Sequence, residues 1–255
     1  MPSHTMKNHL AQVTIDAYLH EESADVKVGY VRLKAIADAL ANVDPSLSAW
    51  YSLPETKNGK AIALSSREEF IADYNRKNKD TANDDTGFFC FITTAEDNKA
   101  WNQPGCATIN FQPKNGYINC EINKPVEAFG NEFAPDVVIK VISAIARTER
   151  VIFSATNVIC TKESGKGVET YAGSHQLFPH RRWLGWMGFV PHMVEAKHIP
   201  EAAALIPVGT KGTVIVAVDE CFDLNNPDHL KRAHRVEARM AHIGLLDVTD
   251  TSLLS

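Results

Sequence analysis

The sequence lacks the short signatures of the common enzyme classes. It contains no HExxH, GxSxG or GxGxxG pattern, so nothing marks a zinc protease, a serine hydrolase or a dinucleotide-binding site. Gly165-Lys166-Gly167 lies in a polar stretch, but a phosphate-binding loop needs a different glycine spacing and a helix directly after it. We therefore expect a flexible loop there, and neither an enzyme of these classes nor a cofactor.

Cysteine is scarce, and long apolar runs are missing. The five cysteines are odd in number, scattered and without a CxxC pair, which is typical of reduced, buried thiols rather than of disulfides or a zinc site. The first ten residues have no apolar core of signal-peptide length, and no run of eighteen uncharged apolar residues occurs. We expect a cytoplasmic protein that binds neither a metal nor a membrane.

Positive charge is also in short supply, since 26 Lys and Arg face 31 Asp and Glu, for a formal net charge of -5. A general nucleic-acid binder needs a net basic surface or a strong basic stripe. The last predicted helix has a basic stripe without interleaved aromatics, interrupted by two acidic residues: Lys231, Arg232, Arg235 and Arg239, with Asp228 and Glu237. We expect a solvated helix face there and no nucleic-acid partner, whereas the acidic excess suits a basic protein partner.

Hydrophobic periodicity predicts strands and helices in the first half. Residues 12–19 alternate between apolar and polar, which predicts a half-buried strand. An apolar stripe of helical spacing follows and ends at Asp44-Pro45, and a second helix begins at the capping residue Ser66. A later pair of strands meets at Asn115-Gly116, which predicts a hairpin. At least part of the sheet is therefore antiparallel.

The second half is predicted to end in a well-marked helix. Before it we expect, in chain order, a helix over Pro135–Thr148 with a strand as the alternative, a strand over 149–157, a loop over Thr161–Ser174, an irregular strand over Trp183–Val190, a short helix over 199–207 and a buried strand over 212–220. In the last helix Asn226 is a fitting N-cap, Pro227 suits the first position and Gly244 lies beyond the end. Its inner stripe is predicted to be Leu230, Ala233, Met240 and Ile243.

These elements predict one α+β domain with a mixed, largely antiparallel sheet flanked by helices. A variant of this prediction has two pseudo-lobes within the domain that meet near residue 125. The domain is expected to span residues 12–248, between tails at 1–11 and 249–255.

The stretch RRWLGWMGFVPHM, which begins at Arg181, places Trp183 and Trp186 three residues apart. Such residues share a helix face but point to opposite sides of a strand. Gly185 and Gly188 weaken a helix and permit bulges or close backbone approach. We expect an irregular strand that buries one tryptophan, leaves the other near the surface and carries the two arginines at its rim.

Two acidic patterns are candidates for chemistry. Glu195-Ala196-Lys197 has the ExK form of a magnesium-dependent nuclease, but the upstream strand with an aspartate that such a site needs is not evident. Asp219, Glu220 and Asp223 gather after a predicted buried strand without a paired base. The histidines around the tryptophan stretch match no zinc spacing; they are His175, His180, His192 and His198.

The order of several motifs resembles the immunity protein 52 family, bacterial proteins encoded beside polymorphic or type VI secreted toxins. The resemblance covers roughly residues 12–248, and its most specific parts are the last 70 residues and the segment from the first helix through Asp44-Pro45 to Trp50-Tyr51. The motifs are Asp44-Pro45 and Trp50-Tyr51 after a helix, the run Gly185-Trp186-Met187-Gly188-Phe189, and a closing segment with Phe222-Asp223, Asn226-Pro227, His229 and Gly244-Leu245-Leu246.

The resemblance implies a non-enzymatic protein that binds a cognate toxin, typically a DNase with a restriction-endonuclease-like fold, and shields the producing cell. Because a nuclease presents a basic cleft, we expect carboxylates to face it. The candidate partner-binding residues are Glu21, Glu22, Asp84, Asp85, Asp219 and Glu220.

The motif residues are expected to build the fold rather than to touch the toxin. They are Trp50, Tyr51, Gly185, Trp186, Phe222, Asp223, Asn226, Pro227 and Gly244. The loops Arg76–Gly87 and Thr161–Ser174 are particular to this chain, so any partner preference in them does not carry over from the family. Two alternatives stay open: a magnesium-dependent nuclease using Glu195 and Lys197, and a scaffold protein without a toxin partner.

Overall fold

The computed structural model describes residues 9–54, 60–79 and 87–254. The strands are β1 (Leu10–Leu19), β2 (Tyr51–Ser52), β3 (Ile62–Ala63), β4 (Cys90–Thr93), β5 (Ala107–Gln112), β6 (Tyr117–Asn123), β7 (Val151–Thr161), β8 (Val168–Thr170), β9 (Met187–Val190), β10 (Ala204–Pro207) and β11 (Thr213–Val216). The α-helices are α1 (Val26–Ala41), α2 (Arg67–Lys77), α3 (Pro125–Phe129), α4 (Ala134–Thr148), α5 (Tyr171–Ser174) and α6 (Pro227–His242).

Two antiparallel sheets form the fold. The larger has eight strands in the order β3-β2-β4-β5-β6-β1-β7-β8, and the smaller has the order β10-β11-β9. The predicted hairpin is confirmed as β5 and β6, although only Gly116 of its turn has a positive φ. The class is α+β, as predicted, and the large sheet combines strands from before and after residue 125.

One face of the large sheet lies in the core. Val13, Ile15 and Ala17 of β1 are buried among the apolar sides of α1 and α4. The guanidinium of Arg32 in α1 lies over the ring of Phe111 on this face, 5.3 Å from its centroid. Each fully buried aliphatic side chain contributes about 1.5–3 kcal/mol relative to an exposed one, so this layer supplies much of the stability.

Several element predictions need correction. The short helix predicted over 199–207 is wrong, because Ala204–Pro207 form β10 and pair with β11; sheet pairing overrides the helical preference of the alanines before it. The predicted loop Thr161–Ser174 contains β8 and α5. The first helix begins at Val26, after Asp25 caps it by accepting a hydrogen bond from Val28 N. Ser66 precedes α2 without making a side-chain cap.

The tryptophan stretch forms an irregular segment that ends in β9. Trp186 is fully buried, and its Nε1 donates to Val218 O at 2.7 Å, whereas Trp183 is half-buried. Gly185 has φ +69°, and a Cβ at this position would lie 2.2 Å from Thr156 O in β7. The predicted division between one buried and one partly exposed tryptophan is confirmed, and the glycine permits the contact with β7.

A buried carboxylate on α6 fixes this segment. Glu237 is fully buried, and its Oε1 accepts hydrogen bonds from Leu184 N at 2.8 Å and Gly185 N at 3.0 Å. Burial raises the pKa of Glu237, while the two backbone donors oppose the rise. The placement of Glu237 on a solvated helix face was wrong. Ile243, predicted to face inward, is 40% exposed because it lies at the C-cap of α6.

The positive φ of Gly185 and its contact with β7 yield a stability prediction. Gly185→Ala should lower the free energy of unfolding by about 2 kcal/mol or more, because the methyl group adds a backbone clash to the strain of a positive φ. Gly209→Ala is the matched control, since Gly209 also has a positive φ but has open space at the Cβ position. Urea denaturation should give a distinctly smaller loss for the control; equal losses would contradict the role of the close approach.

Glu237 yields a second prediction. Glu237→Ala should cost about 2–5 kcal/mol of unfolding free energy, because two buried N–H groups lose their acceptor. Glu237→Gln keeps an acceptor and cannot ionise. Since the fold raises the pKa of Glu237 above its ordinary 4.5, the wild type loses stability as pH rises from that value through the raised pKa. Denaturation at pH 5 and pH 8 should therefore favour the glutamine variant increasingly at the higher pH, and a pH-independent difference would contradict this account.

Candidate functional site

Asp219 and Glu220 follow β11 and are exposed. Asp219 Oδ1 lies 2.7 Å from Arg232 Nη2 of α6, and this hydrogen bond holds the pKa of Asp219 below its ordinary value. Glu220 Oε2 lies 3.1 Å from His229 Nε2. The two carboxylates are thus at a strand exit, as predicted, and each has a partner on α6.

The predicted acidic patch is divided between two places. Glu21 and Glu22 follow the end of β1, and Glu22 pairs with Arg32 at 3.3 Å. Asp223, three residues after Glu220, instead contacts His9 before the start of β1 at 3.1 Å. A strand of ten residues is about 30 Å long, so the two groups lie near opposite ends of β1. Asp84 and Asp85 lie outside the described residues.

Glu195 and Lys197 lie on an exposed turn between β9 and β10. Glu195 Oε2 and Lys197 Nζ are 2.9 Å apart, the side chains are 66% and 68% exposed, and the lysine lowers the pKa of Glu195. Within residues 9–54, 60–79 and 87–254, no group of three His, Cys, Asp or Glu side chains could hold a metal ion. The pair is an exposed salt bridge, and no observation favours a nuclease site here.

The second face of the large sheet presents polar and aromatic side chains. Cross-strand pairing places Phe91, Asn110, Asn119 and Asp16 in one row across four strands. A neighbouring row joins Gln112, Tyr117 and Tyr18. We call the half-buried and exposed residues of this surface the polar sheet face; they are Phe91, Asn110, Gln112, Tyr117, Asn119, Glu121, Gln12, Asp16 and Tyr18.

Hydrogen bonds fix many of these side chains to one another. Asp16 Oδ1 accepts from Tyr117 Oη and, at 2.9 Å, from Asn119 Nδ2. Gln12 Nε2 donates to Glu121 Oε2 at 2.8 Å. Burial and the neighbouring Asp16 raise the pKa of Tyr117, so this phenol stays protonated as a donor. The arrangement offers oriented acceptors and rings for binding.

Two segments flank the polar sheet face. On one side the ring of Trp101 stacks on Phe91, with centroids 6.0 Å apart. On the other, the guanidinium of Arg182 lies 4.2 Å from the ring centroid of Tyr18 and 5.4 Å from that of Phe153. The face is therefore framed by a tryptophan and by an arginine of the tryptophan stretch.

Sequence reasoning missed this surface. The alternation in residues 12–19 does predict that Asp16 and Tyr18 face away from the core, and the hairpin predicts pairing of β5 with β6. What the sequence does not give is the pairing of β1 with β6, a contact between residues about a hundred positions apart that brings Asp16 beside Asn119. The alternation of polar and apolar residues within a strand can be seen in the sequence, but the register that pairs β1 with β6 cannot.

Comparison with known proteins identifies the family. The family model for Immunity protein 52 matches residues 16–249. The chain belongs to the Immunity protein 52 family. As a member of Immunity protein 52, it is an immunity protein, a class that neutralises a toxin and is typically non-enzymatic.

Among the solved structures that match this Immunity protein 52 member is one that covers most of its length. It is the Pseudomonas aeruginosa T6SS protein PA0821, with a TM-score of 0.50 and 11% identity over 91% of this chain and 74% of that chain. At this identity the likeness shows a shared fold alone. No curated protein matches the chain. In the described part of the chain, no helix has both the length and the apolar character needed to cross a bilayer.

The residues that were expected to build the fold are in the following surroundings. Trp50 is buried and its Nε1 donates to Leu47 O at 2.8 Å, while Tyr51 lies in β2. Asn226 caps α6 by accepting from Asp228 N at 3.0 Å, Pro227 starts that helix, and Gly244 has φ +76° just after it. Phe222 is fully buried beside Asp223. Burial acts to raise the pKa of Asp223, but hydrogen bonds with Asn225 and His9 outweigh it and lower that pKa. Trp50 and Phe222 contribute core packing, and Asn226, Pro227 and Gly244 contribute the start and end of α6.

Proposed function

We propose that this protein protects the bacterium that makes it by binding a cognate secreted nuclease toxin in the cytoplasm, where the toxin would reach DNA. The observation that carries the proposal is the family match over residues 16–249. The structural relative is named as a type VI secretion protein, which supports delivery of the toxin by such a system. We take residues 12–248 as the immunity domain, with tails on either side.

The exposed carboxylates fit a role in steering a basic partner. Net charge of -5 and carboxylates at both ends of β1 produce a field that attracts a positively charged nuclease surface. In this proposal Glu21, Glu22, Asp219 and Glu220 accelerate the encounter, and Asp84 and Asp85 belong to the same set.

The direct test is co-expression with the toxin encoded beside this gene. We expect rescue of growth, a complex that survives pull-down, and loss of DNA cleavage by the toxin when the purified proteins are mixed. A toxin that binds and is neutralised but attacks something other than DNA would contradict the nuclease part alone. Absence of both complex and rescue would contradict the whole proposal and would lead to a plasmid-cleavage assay with magnesium and Lys197→Ala.

Steering yields a kinetic prediction. The double variant Asp219→Lys and Glu220→Lys should lower the association rate constant by about tenfold at low salt, with little change in dissociation, because exposed charges act mainly on the encounter. The difference should shrink as salt is raised, since screening shortens the range of the field. Stopped-flow mixing with the toxin measures both effects.

A control variant with the same change in net charge tests whether the position of Asp219 and Glu220 matters. Asp38 and Asp136 are also exposed carboxylates, each paired with a lysine on its own helix. The variant Asp38→Lys and Asp136→Lys changes the net charge equally, so an equal loss of association rate would assign the effect to net charge and remove Asp219 and Glu220 as specific contributors.

A further inference from the structure

We propose that the polar sheet face is the surface on which the toxin docks, and that its occupant is a basic, arginine- or lysine-bearing surface of that toxin. This inference rests on the proposed function and adds the place of contact. It differs from the steering role, because steering acts before contact, whereas these side chains would be covered in the complex.

Charge is the first argument. The polar sheet face carries two charged residues, Asp16 and Glu121, and both are acidic. In the part of the chain that is described, the hydrogen bonds of these carboxylates use Asp16 Oδ1 and Glu121 Oε2, which leaves the second oxygen of each for a cationic donor. Positive groups lie at the margin, with Arg182 beside Tyr18 and Lys114 in the hairpin turn. An acidic centre complements a basic partner.

Residue choice is the second argument. Asn and Asp are depleted in strands, where β-branched and aromatic residues fit better. Nevertheless Asn110, Asn119 and Asp16 occupy three consecutive places in one cross-strand row at the middle of the sheet. Solubility alone would be served by threonine or lysine at these positions. Strand-disfavoured amide and carboxylate groups in the centre of a large sheet point to hydrogen bonding with a partner.

The aromatic frame is the third argument. Interfaces are enriched in aromatic residues and arginine and depleted in lysine. Here Phe91, 37% exposed, and Trp101 lie at one side, Tyr18 and Arg182 lie at the other, and no residue of the face is a lysine.

The fixed geometry of the face favours tight binding. The Asp16-Tyr117-Asn119 and Gln12-Glu121 hydrogen bonds hold the polar groups in place before the partner arrives. A partner that meets oriented groups loses less side-chain entropy on association. We expect this surface to govern the lifetime of the complex.

Two variants test the proposal with the full-length protein and the toxin. The near-isosteric pair Asp16→Asn and Glu121→Gln should raise the dissociation constant by about tenfold or more, mainly through faster dissociation. Asn119→Lys, which places a cation opposite Asp16, should raise it by about a hundredfold and abolish protection. Asp16 can pair with the new lysine across the strands, so thermal denaturation should show a folded variant.

Matched controls separate location from chemistry. Asp38→Asn with Asp136→Asn removes two charges from the helices, and Val31→Lys adds one lysine to an exposed position on α1. Both should bind the toxin like the wild type. If the face variants also bind and protect like the wild type, the docking proposal is overturned while the proposed function stands. A wild type that fails to bind the toxin overturns the proposed function itself.

Footprinting on the wild type gives a result that does not depend on any variant folding. Hydroxyl-radical labelling should show Tyr18, Tyr117, Phe91 and Trp101 losing reactivity when the toxin is added, while Phe133, 63% exposed, keeps its reactivity. Unchanged labelling of all four face residues in a formed complex would overturn the docking proposal.

Discussion

The hydrogen bonds from Leu184 and Gly185 to the carboxylate of Glu237 connect the last α-helix, α6, to the segment that leads into β9 and, through that segment, to β7. The acceptor is on α6, and the donors lie just before β9. The same segment is hydrogen-bonded to β7, because Thr156 N donates to Leu184 O at 3.0 Å and Trp186 N donates to Thr156 O at 3.3 Å. A buried polar group without a partner costs about 1–3 kcal/mol. These donors and their acceptor therefore specify one relative placement of α6, the small sheet and β7.

That placement determines what the large sheet can do. The helices α1 and α4 and the small sheet lie on one face, and the apolar residues of β1, β5 and β6 fill that layer. An antiparallel sheet can leave its other face open to solvent. Here the β7 end of the second face is packed, since Phe153, under the Arg182 guanidinium, and Ala155 are buried. The two rows through Asp16 and Tyr18 instead carry half-buried and exposed side chains on β4, β5, β6 and β1. Residues that would weaken a core, such as Asn119 and Asp16, are tolerated there and are available for binding. Under the docking proposal, one side of β1, β5 and β6 supplies stability and the other side would supply recognition.

The elements of the fold that depend on neighbouring residues could be predicted from the sequence. The period of two in β1, the hairpin turn at Gly116 and the cap at Asn226 each depend on neighbouring residues, and each is present in the structure. The strand β10 and the burial of Glu237 depend on partners distant in the chain, so propensity and helical stripes gave the wrong answer. The polar sheet face is of the second kind, since its rows exist only once β4 pairs with β5 and β1 pairs with β6.

In the proposed complex, the distribution of charge would separate two stages of recognition. Glu21, Glu22, Asp219 and Glu220 are exposed, where salt screens them and pairs are worth little in stability. Asp16 and Glu121 are half-buried in hydrogen-bonded networks, where covering by a partner would exclude water and strengthen every charge-assisted contact. A protein that must capture a toxin quickly and then hold it would benefit from both, because in the proposed complex the exposed set would act on encounter and the networked set on retention.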